Sequence, residues 1–553
     1  MYPDAVAGEI AAWLDAGVFE TIDVEAAREV FERAGRGDAP AFAWLLAGLT
    51  FRAYRDGHSR LNLLTEGMES WRPSQQVPWI SDRAAIEEIF ADVPEVFGTG
   101  ATTSEPPRQP FVVSNDGLYI ARVLDEEKKV AEWLRADGGA RVDIILGGPG
   151  TGKTWTIAER LRLHESPVPS IALCAPTGKA SRHLKTVLDR QLRENGASHE
   201  VLEMVERAPS ETAHRLLGYN PDGKVRYKKR KGSPLDFELV IVDEASMMSL
   251  SLIHRLLDAL PPTARIWLVG DPDQLASVDA GSVLADIRSA AKSDKCVLKA
   301  RTKVLDEQRR FGPDSAIAAL ATAVRDHEME KVRAVLEGDH DDVVWIDPSR
   351  DHDRLRVLTE NVVDHARRVV TAATAGDATL ALTVKSELQI LCATRVGPSG
   401  VDAWNELIER ALGPSTASRT YVGRPVLVTR NDPATGLSNG DVGILCRDGN
   451  GTRAWFGDPG NPTGVSLARL PETSTVHALT IHKSQGSEYD HAVVVIPSGE
   501  SRVLTRELVY TGVTRPRTKL TIIATWDSLK SALERDARRA TGLESRLVGE
   551  PRD

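Results

Sequence analysis

A glycine-rich segment in the first third of the chain ends in adjacent lysine and threonine side chains. It reads Gly147-Gly148-Pro149-Gly150-Thr151-Gly152-Lys153-Thr154, which fits the spacing G-x-x-x-x-G-K-[ST]. An apolar run, residues 142–146, precedes it, and a helical pattern follows. In this context backbone N–H groups converge on phosphates at a helix N-terminus, where the helix dipole favours anions. The segment predicts a nucleoside triphosphate site, in preference to a glycine-rich turn without a ligand. Lys153 is expected on the β and γ phosphates, and the Thr154 hydroxyl on Mg²⁺.

Two carboxylates and an amide follow later apolar runs. Asp243 and Glu244 come directly after residues 239–242, and Gln274 follows the next run after a short turn rich in Asp and Pro. A P-loop fold places such strand ends beside the phosphates. We therefore expect Asp243 to hold Mg²⁺, Glu244 to orient or deprotonate the attacking water, and Gln274 to sense the γ-phosphate or its water. An Asp-Glu pair alone is usually a solvated loop, but the presence of Lys153 favours the catalytic interpretation.

The elements that must position these residues are apolar runs that alternate with helical patterns. The runs are residues 142–146, 171–174, 239–242 and 266–269, then 388–392, 492–496 and 520–523. This alternation is typical of α/β domains with a parallel sheet, and the two sets predict two such domains. Between the later runs, residues 423–446 read as short strands and turns, in which Asn439-Gly440 favours a tight hairpin. They predict a small β insertion within the second α/β domain.

The first block, residues 1–110, carries no chemical motif. Its helical periodicity begins with Ile10, Trp13 and Leu14, and a Pro-rich polar stretch at residues 99–110 has the composition of a linker. We expect a mostly helical interaction or support domain.

Composition restricts the class of protein. The formal charge is -10, with 69 Lys and Arg against 79 Asp and Glu, so any surface that binds nucleic acid has to be a local one on an otherwise acidic protein. The four cysteines, Cys174, Cys296, Cys392 and Cys446, lie far apart, which argues against a zinc site, an iron–sulfur cluster or a disulfide framework. The longest apolar stretch, residues 41–51, is too short to span a bilayer. These features predict a cytoplasmic protein without a membrane segment.

Several further motifs follow the glycine-rich loop in an order that resembles the superfamily 1 helicases. They are APTGKAS at 175–181, TAHRLLG at 212–218, VDEASM at 242–247, GDPDQL at 270–275, LDEQRRF at 305–311, TIHKSQGSE at 480–488 and VYTGVTR at 509–515. The resemblance covers residues from about 111 to the C-terminus, and the order of the motifs is far more specific than any one of them. It implies an ATP-dependent DNA helicase that uses ATP and Mg²⁺.

Within that superfamily the β insertion resembles that of the RecD-type helicases, the α subunits of exonuclease V in RecBCD complexes. The resemblance implies an α/β fold with two RecA-like P-loop motor domains, a small SH3-like β insertion and a mostly helical N-terminal domain. The domains are then 1–110 for partner docking, 111–300 for motor domain 1, and 301–553 for motor domain 2 with its insertion at about 412–472. The implied partners are single-stranded and duplex DNA together with RecB-like and RecC-like subunits in a heterotrimer. Asp56-Gly57-His58 with Leu61 and Leu63 resembles the complex-bound form rather than the stand-alone relatives.

The same resemblance assigns roles to residues of the later motifs. Arg310 and Arg515 are expected to reach the γ-phosphate from the second motor domain, and Glu488 to contact the nucleotide ribose. The positions that line the single-strand path are Pro176, Thr177, His214, Thr480, His482 and Lys483. Hydroxyl, imidazole and ammonium groups hold phosphates without reading sequence, which suits that role.

Three features depart from the family pattern or leave alternatives open. The basic stretch at residues 224–231 is either a hairpin at the strand-separation element or a solvated charged face. The glutamine that the family places ahead of the P-loop for adenine has no clear equivalent here, so selectivity for ATP stays open. Pro516 follows Arg515 where a small residue is usual, and it is expected to alter a local helix start.

The predicted function is an ATP-dependent helicase subunit of a RecBCD-type complex in double-strand break repair and recombination, moving 5′ to 3′ by resemblance. One alternative is a nucleotide-binding regulatory subunit whose motor is idle. Others are a stand-alone RecD-like helicase and, remotely, a small-molecule kinase. No metal-dependent nuclease constellation is recognisable, so DNA cleavage would have to come from a partner.

Overall fold

In a computed structural model of the chain, the described residues form four β-sheets flanked by helices. These residues are 6–549 without 100–107, 165–168, 221–222, 224, 313, 414–415, 417, 433, 450, 500 and 502. Two of the sheets are parallel, with six and five strands, and they confirm the predicted α/β architecture.

The N-terminal block combines helices with a small sheet. Its elements are α1 (Ala7–Asp15), α2 (Thr21–Arg33), α3 (Ala41–Arg55), β1 (Leu61–Asn62), α4 (Thr65–Glu69), α5 (Arg83–Asp92), β2 (Phe97–Thr99), β3 (Phe111–Ser114) and β4 (Gly117–Ile120). The sheet has the order β1-β4-β3-β2, and Phe111 and Leu118 are buried in the same core as Trp13 and Phe31. This sheet therefore extends ten residues past the expected boundary at 110. Most of the expected linker, residues 100–107, lies outside the described residues.

The six-stranded parallel sheet organises what we call the first lobe. Its elements are α6 (Ala121–Arg135), β5 (Val142–Gly147), α7 (Lys153–Arg162), β6 (Ile171–Ala175), α8 (Gly178–Glu194), α9 (His199–Arg207), β7 (Ser210–Thr212), α10 (Ala213–Leu216), β8 (Leu239–Val242), α11 (Leu250–Asp258), β9 (Arg265–Gly270), α12 (Val283–Ala290) and β10 (Thr302–Leu305). The strand order is β10-β5-β9-β8-β6-β7, so the ends of β5, β9 and β8 lie side by side. The apolar runs predicted as strands in this part are confirmed. Because β10 pairs with β5, the sheet continues past the expected boundary at 300.

The five-stranded parallel sheet organises the second lobe. The elements up to the insertion are α13 (Ala316–Arg325), α14 (Met329–Glu337), β11 (Val343–Ile346), α15 (His352–Thr374), α16 (Ala378–Glu387), β12 (Leu388–Cys392) and α17 (Val401–Leu412). An antiparallel sheet follows, made of β13 (Pro425–Val428), β14 (Val442–Asp448), β15 (Gly451–Phe456), β16 (Thr463–Ser466) and β17 (Thr473–Thr475). The chain then continues with β18 (Ala478–Thr480), β19 (Tyr489–Val495), α18 (Arg506–Val513), β20 (Pro516–Ile523), α19 (Trp526–Glu534) and α20 (Leu543–Val548). The parallel order is β11-β20-β19-β12-β18.

Two local expectations in this region are corrected. Asn439-Gly440 forms a turn, with Gly440 at φ +92°, but it does not join two strands directly, because β13 ends at Val428 and β14 starts at Val442. The loop between them is shaped by side chains, since Asp441 accepts from the Ser438 N–H at 2.8 Å. Pro516 lies at the first residue of β20 and starts no helix. A strand start tolerates the missing N–H of proline.

The C-terminal segment returns to the first lobe. Leu543 and Leu547 of α20 are buried in the core that contains Val130 and Ile253, and α20 packs against α6 and α12. The expected second domain, 301–553, therefore ends in a helix that belongs to the core of the first lobe.

The described part of the chain gives two negative findings. No helix there is long and apolar enough to cross a membrane. The same residues hold no group of three or more His, Cys, Asp or Glu side chains arranged to hold a metal ion.

Candidate active site

The glycine-rich loop connects β5 to α7 in the geometry that binds phosphates. Gly150 and Gly152 have φ values of +81° and +86°, a left-handed conformation that glycine adopts without strain. The ammonium group of Lys153 donates to the Gly147 and Gly148 carbonyls at 2.7 and 3.0 Å. The sequence thus builds an N-terminal helix turn whose lysine is held directly over the loop.

Three buried carboxylates follow the ends of β8 and β9, and the charge of Lys153 acts on each of them. Asp243 and Glu244 follow β8, and Asp271 follows β9. Burial raises the pKa of all three, while the charge of Lys153 works against that rise. Glu244 adopts a left-handed conformation at φ +51°, which is unusual for a residue with a side chain. Strain of this kind is concentrated at functional sites, so Glu244 fits the expected catalytic position.

Gln274 links the carboxylates to the second lobe. Its amide Nε2 donates to Asp271 Oδ2 at 3.0 Å. The next residue, Leu275, donates its N–H to Thr511 Oγ1 at 3.0 Å, and its carbonyl accepts from Gln485 Nε2 at 2.9 Å. The residue that follows Gln274 is therefore hydrogen-bonded to two segments of the second lobe.

Arg310 lies against the glycine-rich loop. It belongs to the segment that leaves β10, and an added Cβ at Gly150 would lie 2.5 Å from its Cβ. Its guanidinium forms an ion pair with Glu488, and burial lowers the pKa of Arg310. Arg310 thus extends from the connector between the lobes, rather than from within the second lobe, and meets the second lobe through Glu488. Arg517 makes a further ion pair with Glu488 at 3.4 Å.

Arg515 reaches the seam between the lobes from the end of α18. Its side chain is buried, and its Nε donates to the Thr511 carbonyl at 2.9 Å. The charge of Arg515 lies close enough to lower the pKa of Glu244 against the effect of burial. The same charge helps Arg310 to keep the pKa of Glu488 low, although burial works to raise it. Arg310 therefore lies against the loop that carries Lys153, whereas Arg515 bonds within its own lobe and acts on Glu244 through its charge.

Buried polar atoms without a hydrogen-bond partner collect at this seam. Within the described ranges, they include Glu244 Oε2, Ser246 Oγ, Gln274 Oε1, Gln308 Oε1 and Arg310 Nη1. An unpaired buried polar atom costs about 1–3 kcal/mol, so a cluster of them indicates a ligand site. Oxygen atoms suit a hard cation and a water molecule, and a guanidinium group suits a phosphate. This donor set fits a magnesium triphosphate.

The residues expected along the strand path lie on both lobes. Pro176 follows β6, and Thr177 caps α8 by accepting from the Ala180 N–H at 3.2 Å. His214 lies on α10, which follows β7, the neighbour of β6. On the second lobe, Thr480 ends β18, and His482 and Lys483 follow it on the surface.

One contact between the lobes lies close to the residues expected along the strand path. Lys179, two residues after Thr177, donates from Nζ to Ser487 Oγ at 2.8 Å. Gly486 lies against the same helix start, since an added Cβ there would be 3.3 Å from Ala180 Cβ. The start of α8, which contains Thr177 and Lys179, thus lies against the second-lobe segment that follows Lys483.

The basic stretch forms an aromatic-backed loop rather than a strand. Its described part, residue 223 and residues 225–231, contains only isolated bridges such as Tyr219 with Tyr227. His214 packs near both rings, with centroid distances of 5.2 Å to Tyr219 and 6.5 Å to Tyr227. The guanidinium of Arg255 lies 5.8 Å from the Tyr227 ring centre. These rings connect the basic loop to the expected strand path.

Sequence reasoning missed four residues of the site. Asp271 was interpreted as part of a turn, although it follows its strand in the way that Asp243 follows β8. Gln308 and Tyr510 lie inside recognised motifs, but the motifs assigned them no role. Tyr510 lies against the glycine-rich loop, since an added Cβ at Gly148 would be 2.8 Å from its hydroxyl. Trp155 follows Thr154 directly and is 39% exposed. Asp271 could have been predicted from the sequence, because it follows its strand just as Asp243 does. The position of Tyr510 depends on how the two lobes pack and could not be predicted in that way.

Comparison with known proteins identifies relatives over nearly the whole chain. Residues 133–280 match the AAA domain family, and residues 475–523 match the UvrD-like helicase C-terminal domain family. The RecBCD enzyme subunit RecD of Mycolicibacterium smegmatis is 36% identical over 96% of this chain and 98% of its own. That of Haemophilus influenzae is 30% identical over 77% of this chain and 73% of its own. The ATP-dependent RecD2 DNA helicase of Deinococcus radiodurans is 30% identical over 77% of this chain and 58% of its own.

Proposed function

This chain belongs to the RecD family of helicases, and from that membership we propose that it is the ATP-dependent DNA helicase subunit of a RecBCD-type exonuclease V complex in double-strand break repair and recombination. One observation carries the proposal: Arg310 lies against the glycine-rich loop that carries Lys153 and forms an ion pair with Glu488 of the second lobe. A site divided between two lobes lets nucleotide binding and hydrolysis change the relation of the lobes. That coupling is what a motor needs.

The chemistry follows from the groups around the loop. Lys153 and the loop N–H groups bind the β and γ phosphates, and the hydroxyl of Thr154 with the carboxylate of Asp243 holds Mg²⁺. When bound, the cation neutralises charge that develops on the phosphate oxygens. Glu244 accepts the proton of the attacking water, Gln274 orients that water, and Arg310 and Arg515 balance the charge of the transition state.

Hydrolysis is coupled to strand movement through short links between the lobes. Gln274 at the phosphate side is one residue from Leu275, which bonds to Thr511 and Gln485 of the second lobe. Gln485 is followed within two residues by Ser487, the partner of Lys179 beside the strand path. A change at the γ-phosphate therefore reaches the groove through a few hydrogen bonds.

The DNA path crosses the groove between the lobes. Pro176, Thr177 and His214 line it on the first lobe, and Thr480, His482 and Lys483 on the second. Movement is 5′ to 3′, as the family membership implies. The basic loop that ends at Lys231 contacts the duplex ahead of the path, because its exposed cations adjoin His214 through Tyr219 and Tyr227.

The N-terminal block, which ends with β4, docks on RecB-like and RecC-like subunits of a heterotrimer. The two lobes are RecA-like motor domains, and the antiparallel sheet β13 to β17 is an SH3-like insertion. Contacts of this insertion with the first lobe support a role beside the strand path, since Asp441 forms an ion pair with Arg182 of α8.

The experiment is an ATPase assay on the complex that copurifies with the tagged chain. We expect single-stranded DNA to stimulate ATP hydrolysis strongly. Lys153→Ala should abolish this subunit's share of the hydrolysis and, with it, DNA unwinding from 5′ ends. Lys292→Ala, which replaces an exposed lysine of the first lobe, is the matched control. A Lys153→Ala complex that unwinds normally but has altered nuclease output would instead establish an idle motor with a regulatory role.

A further inference from the structure

A single arginine of the C-terminal segment holds an irregular loop of the first lobe. The loop comprises residues 276–281, which lie in neither a helix nor a strand. The guanidinium of Arg539 donates to the carbonyls of Asp279 and Gly281 at 2.6 and 2.8 Å. It also donates to the Ser277 carbonyl. Three backbone acceptors of one loop therefore share one side chain.

The guanidinium lies in an enclosed position, where its hydrogen bonds are strong. An added Cβ at Gly57 of the N-terminal block would lie 2.6 Å from Arg539 Cζ. Burial lowers the pKa of Arg539, although the charges of Asp279 and Asp286 work against that fall. Charge-assisted bonds are about twice as strong as neutral ones, and low dielectric strengthens them further. The loop therefore depends on this side chain for its position.

Arg539 lies where the chain crosses from the second lobe back to the first. On the side of the second lobe, Ala537 donates its N–H to the Glu507 carboxylate of α18 at 3.0 Å. On the side of the first lobe, the hydroxyl of Thr541 donates to the Asp286 carboxylate of α12 at 2.7 Å. The segment that carries Arg539 is therefore tied to both lobes.

The loop lies between the candidate active site and the residues expected along the strand path. Its first residue is two positions after Gln274, the expected sensor of the γ-phosphate. Burial lowers the pKa of His214, and the charge of Asp279 acts against this effect. Burial also lowers the pKa of His482, and the charge of Arg539 lowers it further. The loop and its arginine are thus within electrostatic reach of the strand path on both lobes.

We propose that Arg539 is a positioning residue that couples strand binding to ATP hydrolysis by holding the 276–281 loop beside the bound strand. This inference rests on the proposed function, because it assumes that a single strand occupies the groove between the lobes. A strand that meets a loop already in position binds without the entropic cost of ordering it. The middle of the loop is open to such a ligand, since Val278 is 83% exposed.

The test measures ATP hydrolysis by the purified complex at increasing concentrations of single-stranded oligothymidylate. This subunit's share of the hydrolysis is the part that Lys153→Ala removes. Arg539→Ala is expected to raise the oligothymidylate concentration for half-maximal stimulation by about 10- to 100-fold, the equivalent of losing one hydrogen bond to a charged group. The KM for ATP should stay within about 3-fold of the parent value, because Arg539 contacts the loop and not the phosphate site.

Two further variants separate positioning from a loss of structure. Arg539→Lys keeps the charge but lacks the planar fork that bonds several carbonyls at once. Its half-stimulating concentration should therefore lie between those of the parent and Arg539→Ala. Arg538→Ala removes the neighbouring side chain, which is 88% exposed and pairs with Asp536, and it serves as the control that stays at the parent value.

Hydrogen exchange of the same complexes reports on the loop without reference to activity. The Gly281 amide donates to the Gly57 carbonyl at 2.9 Å, so the peptide that contains it carries a protected N–H. In Arg539→Lys this amide should exchange at least about 10-fold faster, because the loop opens more readily. The amides of α20 should keep the parent rate, which shows that the C-terminal segment remains folded.

The outcomes separate the positioning role from the proposed function. The positioning role is overturned if Arg539→Ala and Arg538→Ala reach half-maximal stimulation at the same oligothymidylate concentration. It is also overturned if the KM for ATP rises in parallel with that concentration, or if α20 in Arg539→Lys exchanges as fast as the loop, since either result means a purely structural role. A parent complex whose share of hydrolysis does not respond to oligothymidylate refutes the proposed function. A responsive parent with an unchanged Arg539→Ala refutes the positioning role alone.

Discussion

A buried carboxylate fastens the C-terminal segment, the N-terminal block and the first lobe together. Glu127 on α6 is 1% exposed and accepts four hydrogen bonds. They come from Ser59 Oγ at 2.7 Å, Tyr119 OH at 3.2 Å, Gly542 N–H at 3.1 Å and Arg546 Nε at 3.1 Å. Glu127→Ala removes all four at once and leaves the largely buried guanidinium of Arg546 without its carboxylate.

The magnitude follows from the burial of the ion pair. Removing one partner of a buried pair costs about 3–5 kcal/mol, because the remaining charge stays desolvated. With a shift of about 2–4 °C per kcal/mol for a unit of 150–250 residues, the first thermal transition should fall by about 6–20 °C. Glu127→Gln keeps the size of the side chain and one acceptor oxygen, so its effect should lie between that of Glu127→Ala and the parent.

Calorimetry of the purified complex measures this shift, and limited proteolysis shows where the chain opens. We expect cleavage within residues 535–549 in Glu127→Ala before any cut in the motor lobes. Glu132→Ala, an exposed carboxylate on the same helix, is the control. If Glu127→Ala melts within 2 °C of Glu132→Ala, about the effect of 1 kcal/mol or less, this carboxylate does not fasten the three parts.

Three further predictions concern the seam, the second lobe and the basic loop. Gly150→Ala adds strain at φ +81° and places a carbon 2.5 Å from Arg310 Cβ. The kcat for ATP hydrolysis should fall about 10²-fold, which is the cost of displacing a catalytic group by about 1 Å. Kinetics within about threefold of the parent would contradict the close approach. Burial lowers the pKa of His477 to about 3, so the unfolded chain binds a proton there that the folded chain does not. The contribution of this imidazole to the free energy of unfolding is then complete above pH 6.5 and decreases by about 1.4 kcal/mol per pH unit below it. A His477→Gln variant whose thermal melts show the same pH slope would refute this. Replacing Lys228 and Lys231 by Gln should weaken binding of forked DNA and reduce its salt slope by about 0.9 for each lost contact, and an unchanged slope would mean that these cations face only solvent.

The strands and the glycine-rich loop were predictable because local physics determines them. The run that became β8 is continuous and apolar, as a strand buried on both faces must be, and the runs that became β5 and β12 are interrupted only by Asp143 and Gln389. The loop carries its glycines where the left-handed conformation is needed, at Gly150 and Gly152. Arg310 and Arg515 were identified through the order of the motifs.

The parts that sequence reasoning missed depend on packing between distant segments. Strand β10 is short and half exposed, so nothing in its composition distinguished it from a linker. Helix α20 packs about 400 residues along the chain from α6, through Leu543, Leu547 and the Glu127 contacts. Asp271 differs from a surface turn only in its burial beside Gln274 and Lys153, which requires the sheet order.

The central claim is that two lobes share one hydrolytic site, and single-turnover hydrolysis by Arg515→Ala tests it most directly. The rate is measured in the DNA-bound complex, and this subunit's share of it is the part that Lys153→Ala removes. We predict that Arg515→Ala lowers that share by about 10³-fold or more. ATP affinity should change less than the rate, because Arg515 acts mainly on the transition state. Arg354→Ala, an exposed arginine of the second lobe, should leave both unchanged. An Arg515→Ala complex that hydrolyses ATP within tenfold of the parent rate would contradict the shared site.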